Sequence, residues 1–206
     1  MIRNATSSFS RNGPLPILSD APYPSRRGSC RPSLEEFLIE RYIRDVPDFP
    51  KKGILFKDIT PLLQSPQGLE RTIAEMAQSV DPTTFDLVCG IESRGFIFGT
   101  ALAHHLKKGF VPIRKPGKLP WKTASESYQL EYGTDTIEIH VDAAKPGQGV
   151  LMVDDLLATG GTMEAALRLV RRIGGKPVGC SFVIELGFLH GRERLGDIPV
   201  HALMTV

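Results

Sequence analysis

The sequence predicts an α/β fold, an open and mostly parallel sheet flanked by helices. Three observations lead there. Phe85–Ile91, Val150–Val153 and Val178–Ile184 are compact apolar runs, the pattern of strands covered on both faces. Stretches with helical apolar spacing separate them, as parallel crossovers require. One of these strands runs into a glycine- and threonine-rich loop that opens a helix, at the strand end where open parallel sheets bind ligands.

The 206 residues suffice for one domain with a sizeable core. No apolar run approaches the ~18 residues of a membrane span, so no membrane partner is expected. Charge is uneven. Residues 1–33 hold five basic residues and one acid, whereas the remaining 173 hold 20 basic and 22 acidic residues. A body of that balance is not a nucleic-acid binder by composition. The cysteines, Cys30, Cys89 and Cys180, are odd in number and fit no disulfide framework or zinc spacing. Cys89 and Cys180 lie in apolar runs and read as small buried thiols. A reducing, cytosol-like compartment is the simple inference.

In chain order, residues 1–32 are rich in Ser, Pro, Gly and Arg without apolar period, and read as a disordered extension to a domain spanning 33–206. Their bias matches an organelle transit peptide, and a start codon assigned too far upstream would leave the same tail. The second weighs more, because no clear amphipathic helix forms there, so a cytoplasmic site of action is expected. Ser33 to Glu36 matches a capping box, predicting a helix that Pro47 and Pro50 end. A second helix is expected from about Gly68 to Val80. The strand Phe85–Ile91 is followed by a helix over Gly95–Lys107 and a short strand at Phe110–Ile113. Lys115 to Gly133 has no clear period and reads as a functional lid. Ile137, Ile139 and Val141 then alternate with polar residues, as in a half-exposed antiparallel strand. After Val150–Val153 a helix runs to Ile173, with Met163, Ala166, Leu167 and Val170 inward, Glu164 and Arg168 paired outside, and Gly174-Gly175 as its stop.

The most informative segment is Val150-Leu151-Met152-Val153-Asp154-Asp155-Leu156-Leu157-Ala158-Thr159-Gly160-Gly161-Thr162. The helix start offers unpaired N–H groups and a positive dipole end to a phosphate. Gly160 and Gly161 allow close backbone approach, and Thr159 and Thr162 add hydroxyls. No Lys follows Gly161 and no Gly-x-Gly-x-x-Gly occurs, which excludes a Walker A loop and a dinucleotide fingerprint. Because the acids precede the loop, phosphate and carboxylates must meet different parts of one ligand, and a phosphorylated sugar fits.

This stretch resembles the signature by which type I phosphoribosyltransferases bind 5-phosphoribosyl diphosphate (PRPP). The resemblance implies that family's fold, with a small N-terminal hood and a mobile β-loop. It implies that Asp154 and Asp155 hold the ribose hydroxyls and help order Mg²⁺, mostly through ligand and water, and that Ala158, Thr159, Gly160, Gly161 and Thr162 cradle the 5′-phosphate. Asp48 to Pro61 is similar to the base-binding hood of the adenine-specific members. Glu92 to Gly99 is similar to their pyrophosphate loop. Arg114 to Pro120 and Tyr128 to Gly133 are similar to the two halves of their mobile loop. The likeness implies conversion of adenine and PRPP to AMP and pyrophosphate by a homodimer. Arg94, Arg114, Lys115 and Lys118 would oppose the charge on departing pyrophosphate. Leu55, Phe56 and Lys57 would meet the base, Phe56 by stacking. Glu131 would manage protons at the base and Tyr132 would help close the loop. A phosphoribosyltransferase acting on xanthine or hypoxanthine is the nearer alternative. A PRPP-sensing, nucleic-acid-binding regulator is the more distant one, since residues 1–33 are too short for a winged helix. His104, His105, His140, His190 and His201 lack a metal-binding spacing.

Overall fold

The computed structural model of the protein describes residues 38–130 and 133–206. The expected N-terminal extension with its domain boundary, the Ser33 cap, Cys30, Glu131 and Tyr132 lie outside the described residues.

Five parallel strands form the central sheet in the order β4-β3-β7-β8-β9: β3 is Leu87–Ile91, β4 Gly109–Ile113, β7 Gly149–Leu157, β8 Lys176–Glu185 and β9 Val200–Thr205. One face packs Ile73 and Met76 of α2 (Pro66–Gln78) and Phe98 and Leu102 of α3 (Gly95–Leu106) onto Val88, Leu151, Val153 and Val183. The other packs Met163, Leu167 and Val170 of α4 (Gly161–Arg172) onto Cys89, Met152, Cys180 and Phe182. Both faces are thus buried, which is why β3, β7 and β8 carry near-continuous apolar runs. Glu164 and Arg168 pair at 2.8 Å on the outer side of α4, and Gly174 after its end has φ 92°. Cys89 and Cys180 are fully buried free thiols, and burial pushes the Cys180 thiol up to about 12. Among the described residues no helix is long and apolar enough to cross a membrane.

Three expectations are corrected. The first helix is not formed in the described part of its span: Ile39–Tyr42 is a single 3₁₀ turn, and Arg44–Pro47 is a strand, β1, paired antiparallel with β2, Leu55–Asp58. Cross-strand ion pairs Arg44–Asp58 (2.9 Å) and Lys57–Asp45 (2.7 Å) reinforce that pairing, a tertiary gain that overrides local helical spacing. The irregular lid is half strand: β5, Thr123–Leu130, pairs residue for residue with β6, Gly133–His140. Its inward positions are Ala124, Glu126 and Tyr128, so the alternation is real but not aliphatic. The third concerns the helix expected from Gly68: it starts at Pro66, its first turn capped by Ser65, which accepts from the Gly68 N–H at 3.0 Å, and a short helix α1, Thr60–Gln64, precedes it.

Phe98 is wholly buried between α3 and the sheet. Phe98→Ala should cost about 3–5 kcal/mol of stability through lost transfer energy and a residual cavity, read from the urea midpoint by circular dichroism.

Candidate active site

Strand β7 continues past Val153 to Leu157, so both acids are strand residues rather than the start of a loop. Both carboxyls meet the residues that open α3, Asp154 beside Gly95 and Asp155 on Arg94. Asp154 turns toward the first turn of α3: its Oδ1 accepts the Asp155 N–H at 2.9 Å, and a Cβ added at Gly95 would lie 2.7 Å from that oxygen. Asp155 is 5% exposed. Its Oδ2 lies 2.9 Å from Nε of Arg94 in an ion pair whose angle falls short of a hydrogen bond, and it has no hydrogen-bond partner among the described residues.

Two adjacent buried carboxyls cannot both ionise freely. Burial, then the charge of Asp155, raises the Asp154 carboxyl well above the ordinary carboxylate range. Burial likewise raises Asp155, against the opposing charge of Arg94.

Beyond Leu157 the chain closes a small cleft of about 80 Å³, lined by Asp154, Ala158, Thr159, Gly160, Gly161 and Thr162 together with Phe182. Gly160 has φ 81°, a conformation only glycine adopts without strain, and it immediately precedes α4. The loop therefore ends on the free N–H groups of a helix, with the acids on the strand just before it. Free N–H groups at a helix start suit an anion, and carboxylates suit hydroxyl groups.

Arg94 joins this cleft to the hood. Its guanidinium stands 5.4 Å from the ring centroid of Phe56 while its Nε faces Asp155. Phe49 packs edge-on against Phe56 at 5.1 Å. Leu55 is half exposed beside it. The Lys57 amine is held on Asp45 rather than aimed at the Phe56 ring.

Two of the remaining predicted cations, Arg114 and Lys115, are held by acids. Glu92 Oε2 accepts from Arg114 Nε at 3.3 Å and from the Lys115 N–H at 3.0 Å, and the Lys115 N–H bond leads the contacts that hold its carboxyl below the usual range. The Lys115 amine sits 2.7 Å from Asp135 Oδ2, which also accepts from the Tyr128 hydroxyl at 3.3 Å. Burial pushes the Tyr128 phenol up, with a hydrogen bond to Thr162 opposing it. The Tyr128 ring also packs at the start of α4, where a Cβ added at Gly161 would lie 3.8 Å from its Cδ2. Lys118 is exposed, its carbonyl accepting from Arg114 Nη1 at 3.1 Å. Sequence reasoning placed Glu92 and Gly95 within the likeness to the pyrophosphate loop, with the Ser93 to Gly95 N–H groups facing the leaving group, and it passed over Asp135 and Gly191. Their roles depend on contacts between distant segments, and no local signal marks Asp135 or Gly191.

The fold and this cleft define a phosphoribosyl-transferring class, and the chain belongs to it: residues 57–195 match the model of the phosphoribosyl transferase domain family. Within that class it is similar to the adenine phosphoribosyltransferase of Thermobifida fusca, at 56% identity over 82% of this chain and 96% of that protein. Among solved structures it resembles adenine phosphoribosyltransferase from Rhodothermus marinus, with a TM-score of 0.77 and 56% identity over 82% of this chain and 96% of that one. It also resembles the Saccharomyces cerevisiae enzyme solved with an imino-altritol bisphosphate and adenine, with a TM-score of 0.74 and 40% identity over 80% and 96% of the two chains.

A carboxyl whose pKa is raised by folding holds a proton that the unfolded chain releases, so ligand-free stability falls as pH rises above the unfolded value of about 3.9. Asp154→Asn removes that penalty. Its thermal midpoint should exceed that of the unsubstituted protein at about pH 8, with the gap closing toward about pH 4, in a calorimetric pH series. Parallel midpoints at every pH would show that Asp154 ionises freely.

Proposed function

We propose that this chain transfers the phosphoribosyl group of PRPP to adenine, releasing AMP and pyrophosphate. The observation that carries this reading is Arg94, whose guanidinium links an aromatic ring, Phe56, to the acid pair at the mouth of a phosphate-sized loop. A planar base, a ribose and a 5′-phosphate are thereby given adjacent sites in the order in which they occur in AMP.

In the transfer, the bond between ribose C1 and the pyrophosphate oxygen breaks with its electron pair leaving on pyrophosphate, a ring nitrogen of the base forms the new bond to C1, and the base gives up its ring N–H proton, on the family likeness to Glu131. Positive charge grows on the sugar and negative charge on the leaving group. Amides of Ala158 to Thr162 hold the 5′-phosphate, and Asp154 and Asp155 accept the ribose hydroxyls. Arg94, Arg114, Lys115 and Lys118 stabilise the leaving charge, preorganised donors being worth most where water is excluded. Lys115 must exchange Asp135 for pyrophosphate to do so. Phe56 stacks on the base beside the strands of the hood. On the family likeness, Glu131 and Tyr132 complete the site.

The donor set suits magnesium. Asp154 and Asp155 supply hard oxygens, Asp155 Oδ2 has no hydrogen bond, and no group of three His, Cys, Asp or Glu side chains gathers among the described residues. Magnesium favours such sites, keeping several waters and the ligand's phosphates. Bound there, the ion would neutralise charge on the diphosphate. The reading extends, on the family likeness, to a homodimer acting in the cytoplasm.

Purified protein with Mg²⁺, PRPP and adenine should yield AMP, and adenine should be consumed ahead of hypoxanthine and xanthine when all three compete. Conversion of another base instead would reject the adenine assignment. Asp154→Asn with Asp155→Asn should lower turnover by at least ~10³-fold, on the scale of losing a preorganised polar group, while circular dichroism stays unchanged. EDTA should abolish turnover and added Mg²⁺ restore it.

A further inference from the structure

The phosphate loop leans on another segment of the chain. After β8 the backbone makes two consecutive 3₁₀ turns, Gly187–Leu189 and Gly191–Leu195, joined at His190 with φ 54°. Gly191 is buried. A Cβ added to it would collide with the Ala158 carbonyl oxygen and reach 3.1 Å from Leu157 Cδ1, while a Cβ at Gly160 would collide with the Gly191 carbonyl oxygen. The two backbones are thus in reciprocal contact, with no side chain between them.

Gly191 is fixed by its neighbour. Arg192 grips Glu185, a 5% exposed carboxylate at the end of β8, with Nε at 2.7 and 2.8 Å from its two oxygens and Nη2 at 2.6 Å, and its Nη1 donates to the Val200 carbonyl at 2.7 Å. Glu185 is the register partner of Leu157 on one side and Thr205 on the other. The Leu186 N–H donates to the Leu157 carbonyl at 2.9 Å. The fork therefore anchors the 191 turn to β8 itself and to β9, and β8 is paired in turn with β7, the strand that runs into the Ala158–Thr162 loop. A planar, multidentate guanidinium fixes orientation as a lysine amine does not.

We propose that Arg192, through its fork on Glu185, is a positioning residue that holds Gly191 as the rear wall of the phosphate loop, and so sets the affinity of the site for the 5′-phosphate. The inference rests on the reading of Ala158 to Thr162 as the phosphate cradle. The orphan amides of that loop converge on a ligand only while its outer side is blocked, because a loop free to relax backward loses their common focus.

Ribose 5-phosphate binding, measured by titration calorimetry, tests this apart from the identity of the base. The unsubstituted protein is the control: failure to bind ribose 5-phosphate overturns the cradle reading itself, and binding sustains it even if adenine is not the substrate. Arg192→Gln and Gly191→Ala should each weaken ribose 5-phosphate binding at least tenfold in protein shown to be folded by circular dichroism. Arg192→Lys, which keeps the charge and loses the fork, should fall between. In turnover, KM for PRPP should rise and KM for adenine should stay within twofold, a split that a general loss of stability would not produce. Should Arg192→Gln fail to fold, Gly191→Ala and Arg192→Lys decide. Unchanged ribose 5-phosphate affinity in the folded variants, or equal rises in both KM values, would overturn the proposal.

Discussion

Asp154 and Asp155 stand side by side near the end of a strand that is buried on both faces, and much of the surrounding structure exists to make that tolerable. Moving a carboxylate out of water is expensive, and a second one beside it adds repulsion. Arg94 supplies the opposing charge to Asp155 at 2.9 Å. Gly95, the next residue, leaves out the Cβ that would press on Asp154. One turn at the start of α3 thus contributes both the counter-charge and the room. On the proposed reading, the residual imbalance would be relieved by the hydroxyls of the sugar and the cation that accompanies it.

The same logic runs through the other charged groups. Lys57 rests on Asp45, Arg114 on Glu92, and Lys115 on Asp135. Each cation that the family likeness assigns to substrate has an internal acid at or near hydrogen-bond distance, except exposed Lys118. Such pairs are worth little in stability when solvent reaches them. Their consequence is orientation: side chains with many rotamers are held near the cleft before a ligand arrives, and part of the ordering entropy is lost in folding rather than in binding.

Much of this was legible in the chain itself. Strands β3, β7 and β8 announce themselves because burial on both faces demands unbroken aliphatic runs, and the cleft is lined largely by one contiguous motif, Asp154 to Thr162. Strand β5 stayed hidden because its inner face carries Glu126, a polar residue made compatible with packing by Arg168 at 2.8 Å and Arg172 at 2.6 Å. Strand β9 is half-exposed along its length at the sheet edge, and His201 interrupts its apolar pattern. The segment before Pro47 read as helical because a capping box at Ser33 to Glu36 and the apolar residues Leu34, Phe37, Leu38 and Ile43 suggested one, but Arg44–Pro47 finds its partner strand beyond a loop. Gly191 and Glu185 are ordinary residues in sequence, and only the folded chain sets one against Ala158 and the other under Arg192.

Strand order has a kinetic corollary. β7 is hydrogen-bonded along both edges, to β3 and to β8, whereas β5 and β6 pair with each other and, among the described residues, join the backbone ladder of the sheet through the bridge between Arg114 and Glu138. Amide protons on Met152 and Val153 are therefore shielded until the whole domain opens, while those of the outer ribbon exchange through local fluctuations. The strand that carries Asp154 and Asp155 thus belongs to the slowly exchanging core of the described residues, and the β5–β6 ribbon to a faster-exchanging part of them.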